Sequence, residues 1–197
     1  MHIIISLLLF IILSLPVQAQ ARNEQIATFA GGCFWCVESD FDKVNGVLKT
    51  ISGYMGGHKK DPTYTQVSSG VTGHAEVVQI TFDADIIDYA QLLEIFWHSI
   101  DPTVVDQQFC DHGDQYRSAI FVHNSSQQQL AEKSKQRLIA DKPFETDVVT
   151  RIEPASQFYP AEDYHQNYHQ TNPIRYQYYR FACGRDARLK ELWGNKN

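Results

Sequence analysis

A turn between a strand and a helix constrains this sequence more than any other feature. Residues 25–30 have the composition of a β-strand, and residues 34–44 repeat apolar side chains at helical spacing. Gly31 and Gly32 lie between these segments and permit a tight change of direction. We therefore expect Cys33 in the first turn of a helix, where unpaired N–H groups and the helix dipole favour an anion. A thiol in this position is predicted to have a lowered pKa and to act as a nucleophile.

Cys33 and Cys36 form a C-x-x-C pair, which serves as a redox dithiol, as half of a zinc site, or as a nucleophile with its resolving thiol. Simple packing at a buried junction is the structural alternative. A zinc site needs a second pair of ligands, and the candidates lack a recognisable finger spacing: His165, His169, Cys110 and Cys183. An exported thiol-disulfide oxidoreductase of the thioredoxin type is the strongest alternative function, since C-x-x-C after a strand is also its signature.

The first 21 residues are predicted to be a secretory signal peptide outside the fold. Ile3 to Leu15 is almost purely apolar, and small residues at Val17, Ala19 and Ala21 offer cleavage after residue 19 or residue 21. The apolar run is shorter than the roughly 20 residues that a membrane span requires, so an uncleaved N-terminal anchor is the alternative. We therefore expect an exported protein, periplasmic or secreted, with one domain over residues 22–197 and no stable membrane insertion of the mature chain.

The formal net charge is −6, and lysines and arginines are scattered along the chain. This pattern does not favour nucleic acid or an anionic membrane surface as a partner, and we expect a monomer. All four cysteines follow residue 21. Two structural disulfides are one possibility in an oxidising compartment, and a redox role is the other.

The order of predicted elements is β-α-β, a long loop, β-α, a second loop, and β-α-β, followed by an irregular tail rich in aromatic residues. This order favours a two-layer α+β sandwich of the split β-α-β kind, and a doubly wound α/β sheet is the alternative. After the first strand and helix, the predicted strands are 47–54, 75–83, 116–123 and 147–152, and the predicted helices are 89–100 and 125–140.

Glu76 is a candidate proton donor. The strand over residues 75–83 alternates, so Glu76 shares a face with Val78, Ile80 and Phe82. Desolvation on an apolar face raises the pKa of a carboxyl group and favours its protonated form. The alternative is that Glu76 lies at the strand's edge and contacts water.

Seven motifs then carry a resemblance to a known family, and they occur in order between Ile26 and Trp193. They are Gly32–Trp35, Gly53–Gly57, Pro62–Tyr64, Gly70–Glu76, Asp101–Thr103, Asp114–Ile120 and Ala161–Gln166. Together they make the chain similar to the A-type peptide methionine sulfoxide reductases.

The resemblance implies a ferredoxin-like two-layer α/β sandwich with long active-site loops and an irregular C-terminal tail. It implies reduction of the S epimer of methionine sulfoxide, free or in oxidised proteins, as protein repair without a metal or organic cofactor. It also implies a thioredoxin-like dithiol as external electron donor. The implied roles are nucleophile for Cys33, acid for Glu76, hydroxyls on the sulfoxide oxygen for Tyr64 and Tyr116, methyl-pocket walls for Phe34 and Trp35, and a carboxylate beside the site for Asp111.

The resolving thiol is where this sequence departs from the commonest pattern of the family. Many members carry glycine at the position of Cys36 and resolve from the C-terminal tail. Here Cys36 lies one helical turn from Cys33, and Cys183 precedes Gly184 in the tail. We expect Cys36 to resolve, with Cys183, or both in relay, as the alternatives. Cys110 is predicted to be a buried neighbour of the site that takes no part in the reaction.

Overall fold

The computed structural model describes residues 22–194 of the 197-residue chain. The predicted signal peptide, residues 1–21, therefore lies outside the described residues. Within the described part, no helix combines the length and the apolar character that crossing a membrane requires.

The elements alternate much as predicted over the first two thirds of the chain. The strands are β1 (Glu24–Gly31), β2 (Val47–Met55), β3 (Ala75–Asp83), β4 (Gln107–Gln108), β5 (Asp111–His112), β6 (Ser118–Val122), β7 (Arg151–Pro154) and β8 (Tyr159–Pro160). The α-helices are α1 (Phe34–Phe41), α2 (Tyr64–Ser68), α3 (Tyr89–Ser99), α4 (Ser125–Asp141), α5 (Tyr168–Thr171), α6 (Pro173–Ala182) and α7 (Arg185–Trp193).

The main sheet has the strand order β7-β6-β1-β3-β2-β8. Strands β1 and β2 are both antiparallel to β3, which lies between them, so β1-α1-β2 is a split β-α-β unit. Strand β1 lies in turn between β3 and β6 and is antiparallel to both, which makes β3-α3-β6 the second such unit. This is the predicted ferredoxin-like sandwich. A doubly wound sheet is excluded, because only β6 and β7 pair in parallel among the described strands.

The core lies between the sheet and the helices α1, α3 and α4. Phe29 of β1 stacks on Phe41 of α1 and on Phe96 of α3, with ring centroids 5.5 and 4.8 Å apart. Each fully buried side chain of this kind contributes about 1.5–3 kcal/mol to stability. The alternation predicted for β3 is also present, since Val78 and Ile80 belong to this core.

Several local predictions need correction. The strand predicted over 147–152 is displaced to β7, because the preceding chain turns to donate the Val149 N–H to the carbonyl of Pro102. The long loop after β2 contains the short helix α2, which begins with a capping box between Thr63 and Gln66. The predicted irregular segment before β6 contains the hairpin β4-β5.

Candidate active site

The predicted turn places Cys33 at the N-terminal end of α1, where its carbonyl accepts the N–H of Cys36 at 3.0 Å. Gly32 makes this turn with a φ of 80°. A Cβ atom at Gly32 would lie 2.4 Å from Cβ of Gln108, so the position requires glycine for two independent reasons. Cys33, the candidate nucleophile, thus lies at the junction of a strand and a helix rather than in a loop.

The prediction of a lowered pKa at Cys33 is wrong for this resting state. Cys33 is buried, and this desolvation raises the pKa of its thiol well above the usual range. The neighbouring thiol of Cys36 and the carboxyl of Glu76 raise it further. A hydrogen bond from Cys33 lowers the pKa of Cys36 to about 7, with help from the guanidinium of Arg185. Of the two thiols, Cys36 therefore loses its proton more readily than Cys33.

Glu76 is a buried acid. Its Oε2 accepts the backbone N–H of Phe34 at 3.0 Å, which places the carboxyl at the same turn as Cys33. Burial raises the pKa of Glu76 to about 8, and the charges of Asp111 and Cys36 act in the same direction. Glu76 is therefore mostly protonated at neutral pH, as expected. The alternative position in contact with water is excluded.

Two tyrosine hydroxyls face this acid and the thiol. Tyr64 begins α2, and Tyr116 ends a 3-10 turn before β6. The two hydroxyls are hydrogen-bonded to each other, and each interacts electrostatically with Glu76 and Cys33. Burial raises the pKa of Tyr64 to about 12 and that of Tyr116 above its ordinary value. Both phenols thus remain protonated and are available as hydrogen-bond donors.

The two predicted wall residues differ in exposure. Phe34 is buried, with its ring centroid 5.0 Å from that of His165 and 6.5 Å from that of Tyr64. Trp35 is half-buried and stacks on Tyr168 at 3.7 Å. Trp35 therefore presents the accessible aromatic surface, and Phe34 supports the site from beneath.

His165 was predicted as a candidate zinc ligand or, in preference, as a histidine at the surface or behind the site. It is buried, and its Nδ1 accepts the indole N–H of Trp35 at 3.1 Å. Burial lowers the pKa of His165, which keeps the imidazole neutral and Nδ1 free to accept. This histidine therefore orients Trp35.

The C-terminal tail holds the site from the other side. Glu162 accepts the hydroxyl of Tyr54 and the backbone N–H of Tyr64, both at 2.8 Å. The side-chain amide of Gln166 bonds the N–H and the carbonyl of Ser52 in β2 at 3.0 and 2.9 Å. These contacts explain why the last matching motif, although far away in sequence, belongs to the site.

Asp111 reaches the site from the β4-β5 hairpin. Its carboxylate accepts a hydrogen bond from the hydroxyl of Tyr179, which is also hydrogen-bonded to Cys33. Burial raises the pKa of Asp111, and the hydrogen bond from Tyr179 opposes that shift. Sequence reasoning missed Tyr179, since it is one of many aromatic residues in the tail and no spacing distinguishes it.

Cys110 and Cys183 form a disulfide that closes a separation of 73 residues. Cys110 is exposed, so the prediction of a buried neighbour is wrong. In this state the free thiols are Cys33 and Cys36. The sulfur of Cys183 accepts the backbone N–H of Cys110 at 3.2 Å and lies 3.9 Å from Oδ2 of Asp111.

Among residues 22–194, the side chains close enough together to hold a metal ion are Cys110, Asp111 and Cys183. A thiolate is the metal-binding form of cysteine, and here both sulfurs are bonded to each other. This cluster therefore does not fit a metal in the oxidised state.

The chain is similar to known proteins of one family. The family model described as peptide methionine sulfoxide reductase matches residues 25–197. The chain is 51% identical over 177 residues to the peptide methionine sulfoxide reductase MsrA of Bacillus licheniformis, covering 90% of this chain and 98% of that protein. It resembles the structure of Mxr1 from Saccharomyces cerevisiae in reduced form with a TM-score of 0.72 and 33% identity, covering 77% of this chain and 87% of that one. The fold also resembles that of Mxr1 from Saccharomyces cerevisiae in complex with Trx2, with a TM-score of 0.53 and 22% identity. That match covers 78% of this chain and 90% of the other.

Proposed function

The chain belongs to the peptide methionine sulfoxide reductase family, and from this membership we propose that it is a peptide-methionine (S)-S-oxide reductase. Its substrates are methionine-S-sulfoxide residues of oxidised proteins and the free amino acid. The observation that carries the proposal is the convergence of a thiol, a protonated carboxyl and two phenols at Cys33, Glu76, Tyr64 and Tyr116.

The chemistry follows from these groups. The sulfur of Cys33 attacks the sulfoxide sulfur, and negative charge develops on the sulfoxide oxygen. Glu76 protonates that oxygen, and Tyr64 and Tyr116 donate hydrogen bonds to it in a site that excludes water. The hydrogen bond between the two thiols places the Cys36 thiolate to accept the proton of Cys33. The S–O bond of the substrate and the transient bond between the two sulfurs then break, and the oxygen ends on Cys33 as a sulfenic acid. Cys33 is thereby oxidised by two electrons, and methionine is released reduced.

We assign Cys36 as the resolving thiol. It is free and hydrogen-bonded to Cys33, whereas Cys183 is already paired with Cys110 in this structure. Attack of Cys36 on the sulfenic sulfur releases water and forms a Cys33–Cys36 disulfide. A thioredoxin-like dithiol then reduces the enzyme, and we propose no metal or organic cofactor.

The remaining proposed roles concern the substrate. Trp35 offers its accessible face to the methyl group of the sulfoxide, with Phe34 packed beneath it. Asp111 lies beside the site through Tyr179 and orients the phenol next to Cys33. These roles account for the aromatic and acidic side chains that simple disulfide exchange does not require.

We further propose that the protein is exported and acts as a monomer on oxidised periplasmic or secreted proteins. The apolar segment followed by small residues within positions 1–21 supports export. Cytosolic thioredoxin is then out of reach, so the donor is a thioredoxin-like protein of the exported compartment. Fractionation of cells, with mass spectrometry of the mature N-terminus, tests this: an N-terminus at residue 20 or 22 is expected, and an uncleaved chain in the cytosol would contradict it.

A reaction without recycling, in which the reductant is left out, tests the enzymatic proposal. Protein in the state of the structure, with Cys33 and Cys36 reduced and the Cys110–Cys183 disulfide intact, is mixed with methionine-S-sulfoxide without reductant, the methionine is counted, and the disulfides are mapped. Cys33→Ser is expected to form no methionine, while Cys36→Ser forms one methionine per chain and accumulates a sulfenic acid. Methionine formation by Cys33→Ser would overturn the mechanism.

Glu76→Gln separates this function from that of a general disulfide oxidoreductase. We expect sulfoxide reduction to fall by about 100-fold or more, since general acids typically contribute that factor, while any insulin reduction is unchanged. Equal loss, or no loss, of both activities would favour the oxidoreductase.

A further inference from the structure

Helix α6 carries an apolar stripe on its outer face. Ile174, Tyr178 and Phe181 are 85, 74 and 84% exposed. Their spacing of four and three residues puts them on one side of the helix, over a length of about 10 Å. Isolated exposed apolar residues are ordinary, but a contiguous set marks an interaction surface. We call these three residues the α6 stripe.

The opposite side of α6 packs against the candidate active site. Tyr176 is buried in a cluster with Cys33 and Cys36, and Tyr179 packs against that cluster. Arg180 bonds Asp186 at 2.7 Å and pairs with Asp40 at 3.0 Å, which fixes the rotation of the helix. The α6 stripe is therefore held facing outward while the same helix covers the thiol pair.

The α6 stripe ends next to the exposed disulfide. Phe181 lies two residues before Cys183, which caps the helix, and Cys110 is exposed beside it. By contrast, Cys33 and Cys36 are only 6 and 2% exposed. Thiol-disulfide exchange needs access of the attacking thiolate to a sulfur. A protein dithiol can therefore reach the Cys110–Cys183 disulfide, which we call the outer disulfide. In this conformation it cannot reach Cys33 and Cys36, which we call the inner pair.

The two sulfurs of the outer disulfide have different surroundings, which indicates which of them is attacked and which departs. The backbone N–H of Cys110 points at the sulfur of Cys183 at 3.2 Å, which stabilises Cys183 as the departing thiolate. Both sulfurs lie 3.9 Å from the carboxylate of Asp111, whose partner Tyr179 contacts Cys33. Cys110 is exposed and Cys183 is half-buried, so Cys110 is the sulfur that a protein dithiol reaches more easily.

We infer that the α6 stripe docks a thioredoxin-like dithiol protein whose thiolate attacks the sulfur of Cys110. This inference rests on the proposed function. The Cys110–Cys183 bond breaks, a mixed disulfide forms on Cys110, and Cys183 departs as a thiolate. The second thiol of the donor then releases Cys110, so the donor leaves oxidised by two electrons and both cysteines are reduced.

The two electrons then move inward. The Cys183 thiolate attacks the Cys33–Cys36 disulfide formed in catalysis and makes a transient mixed disulfide. Cys110 attacks Cys183, which restores the outer disulfide and returns Cys33 and Cys36 to the dithiol state. The structure corresponds to this last state, since the outer pair is oxidised and the inner pair reduced. Three large exposed apolar side chains suit the apolar core of an interface with a protein partner, whereas a small thiol does not need them.

The docking step is tested with Tyr178→Ser and Phe181→Ser, singly and combined. The enzyme is recycled either by bacterial thioredoxin with its reductase and NADPH, or by dithiothreitol. We expect the KM for thioredoxin to rise at least tenfold in the double variant, with little change in turnover by dithiothreitol. Ile139→Ser, an exposed apolar residue on another helix, is the matched control and should change neither. An unchanged KM for thioredoxin in the double variant would overturn the docking site.

The electron path is tested by counting methionine. A fully reduced wild-type chain without reductant is expected to form two methionines, because four thiols yield two disulfides, whereas Cys110→Ser forms one and loses recycling by thioredoxin. Cys110→Ser that recycles with thioredoxin at the wild-type rate would contradict the path. Failure of the proposed function looks different, since no methionine would then form even with dithiothreitol.

Two other occupants of the α6 stripe would also refute the inference. A second copy of the chain would give a dimer that Phe181→Ser dissociates, measured by sedimentation. The chain's own N-terminal segment would protect the stripe from hydrogen exchange only when residues 1–21 are present.

Discussion

The indole N–H of Trp35 donates a 3.1 Å hydrogen bond to Nδ1 of His165, which lies 130 residues later in the chain. Because Nδ1 accepts, the imidazole proton is assigned to Nε2. Tyr168 stacks on the same indole with an angle of 7° between the rings. The orientation of the proposed substrate wall therefore depends on the C-terminal tail, although Trp35 itself adjoins the nucleophile.

His165→Phe keeps a ring in the core but removes the acceptor for Trp35. We expect kcat/KM for sulfoxide to fall about tenfold, corresponding to the loss of one hydrogen bond. The effect should act through Trp35, so a double-mutant cycle with Trp35→Phe should be strongly non-additive. Additive losses in steady-state kinetics would show that His165 acts elsewhere.

The pH dependence of methionine formation follows from two shifted groups. Activity should rise through about pH 7 as the thiol pair, with Cys36 at a pKa of about 7, loses its first proton. It should fall again as Glu76, with a pKa of about 8, loses the proton that it donates. Quenched-flow measurement of single turnovers needs no external thiol as reductant. The titration of such a thiol therefore does not contribute to the measured pH profile. Glu76→Gln should lack the alkaline limb, and its persistence would refute the acid role.

Gly32→Ala is predicted to lower the free energy of unfolding by about 3 kcal/mol or more. Alanine would be strained in the left-handed backbone conformation of Gly32, and its Cβ would clash with Gln108. Gln108 cannot move away easily, since its buried amide bonds the N–H and the carbonyl of Asp101 at 2.9 and 2.6 Å. Gly184→Ala is the control: its φ is +70° but a Cβ there meets nothing within 4 Å. We expect that control to cost only about 1–2 kcal/mol by urea denaturation. Equal costs would show that steric contact at Gly32 is unimportant.

Glu38 lies buried on α1, and burial raises its pKa to about 7, with a further contribution from Asp42. The folded state therefore binds more protons than the unfolded state between about pH 4.5 and 7, and stability is lost as pH rises through that window. Glu38→Gln removes the penalty. We expect the variant to exceed the wild type by roughly 2–3 kcal/mol at pH 8 and by much less at pH 4.5.

Urea denaturation at both pH values measures this difference. Glu132→Gln, on the exposed side of α4, controls for the loss of one acidic group. A gain from Glu38→Gln that is the same at both pH values would refute the explanation.

Much of the fold was predictable because it depends on neighbours in sequence. The strand-turn-helix around Cys33, the alternation of β3, and the helix predicted over residues 89–100 are all present. Alternation made Glu76 a candidate buried acid with an edge position as the alternative, and the burial of its carboxyl in the structure raises its pKa as that candidate role requires.

Other parts of the site were not predictable from local pattern. The pairing of Cys110 with Cys183 and the contact of Tyr179 with Asp111 join segments about 70 residues apart. Aromatic residues are so frequent in the tail that spacing could not select Tyr179 from among them. The prediction of a strand at residues 147–152 was wrong for a similar reason. A long-range hydrogen bond from the Val149 N–H to the carbonyl of Pro102 delays the start of strand β7 to Arg151.

The family was thus recognisable from the sequence, together with Cys33 and Glu76 as candidate nucleophile and acid, because these inferences depend on residue types in order and on local backbone conformation. Only the tertiary structure decided which thiol carries the proton, which cysteines are paired, and which face of α6 is exposed. Desolvation, hydrogen-bond partners and exposure depend on what packs around a group from distant segments. At Cys33 the burial imposed by those segments outweighs the local effect of the helix terminus.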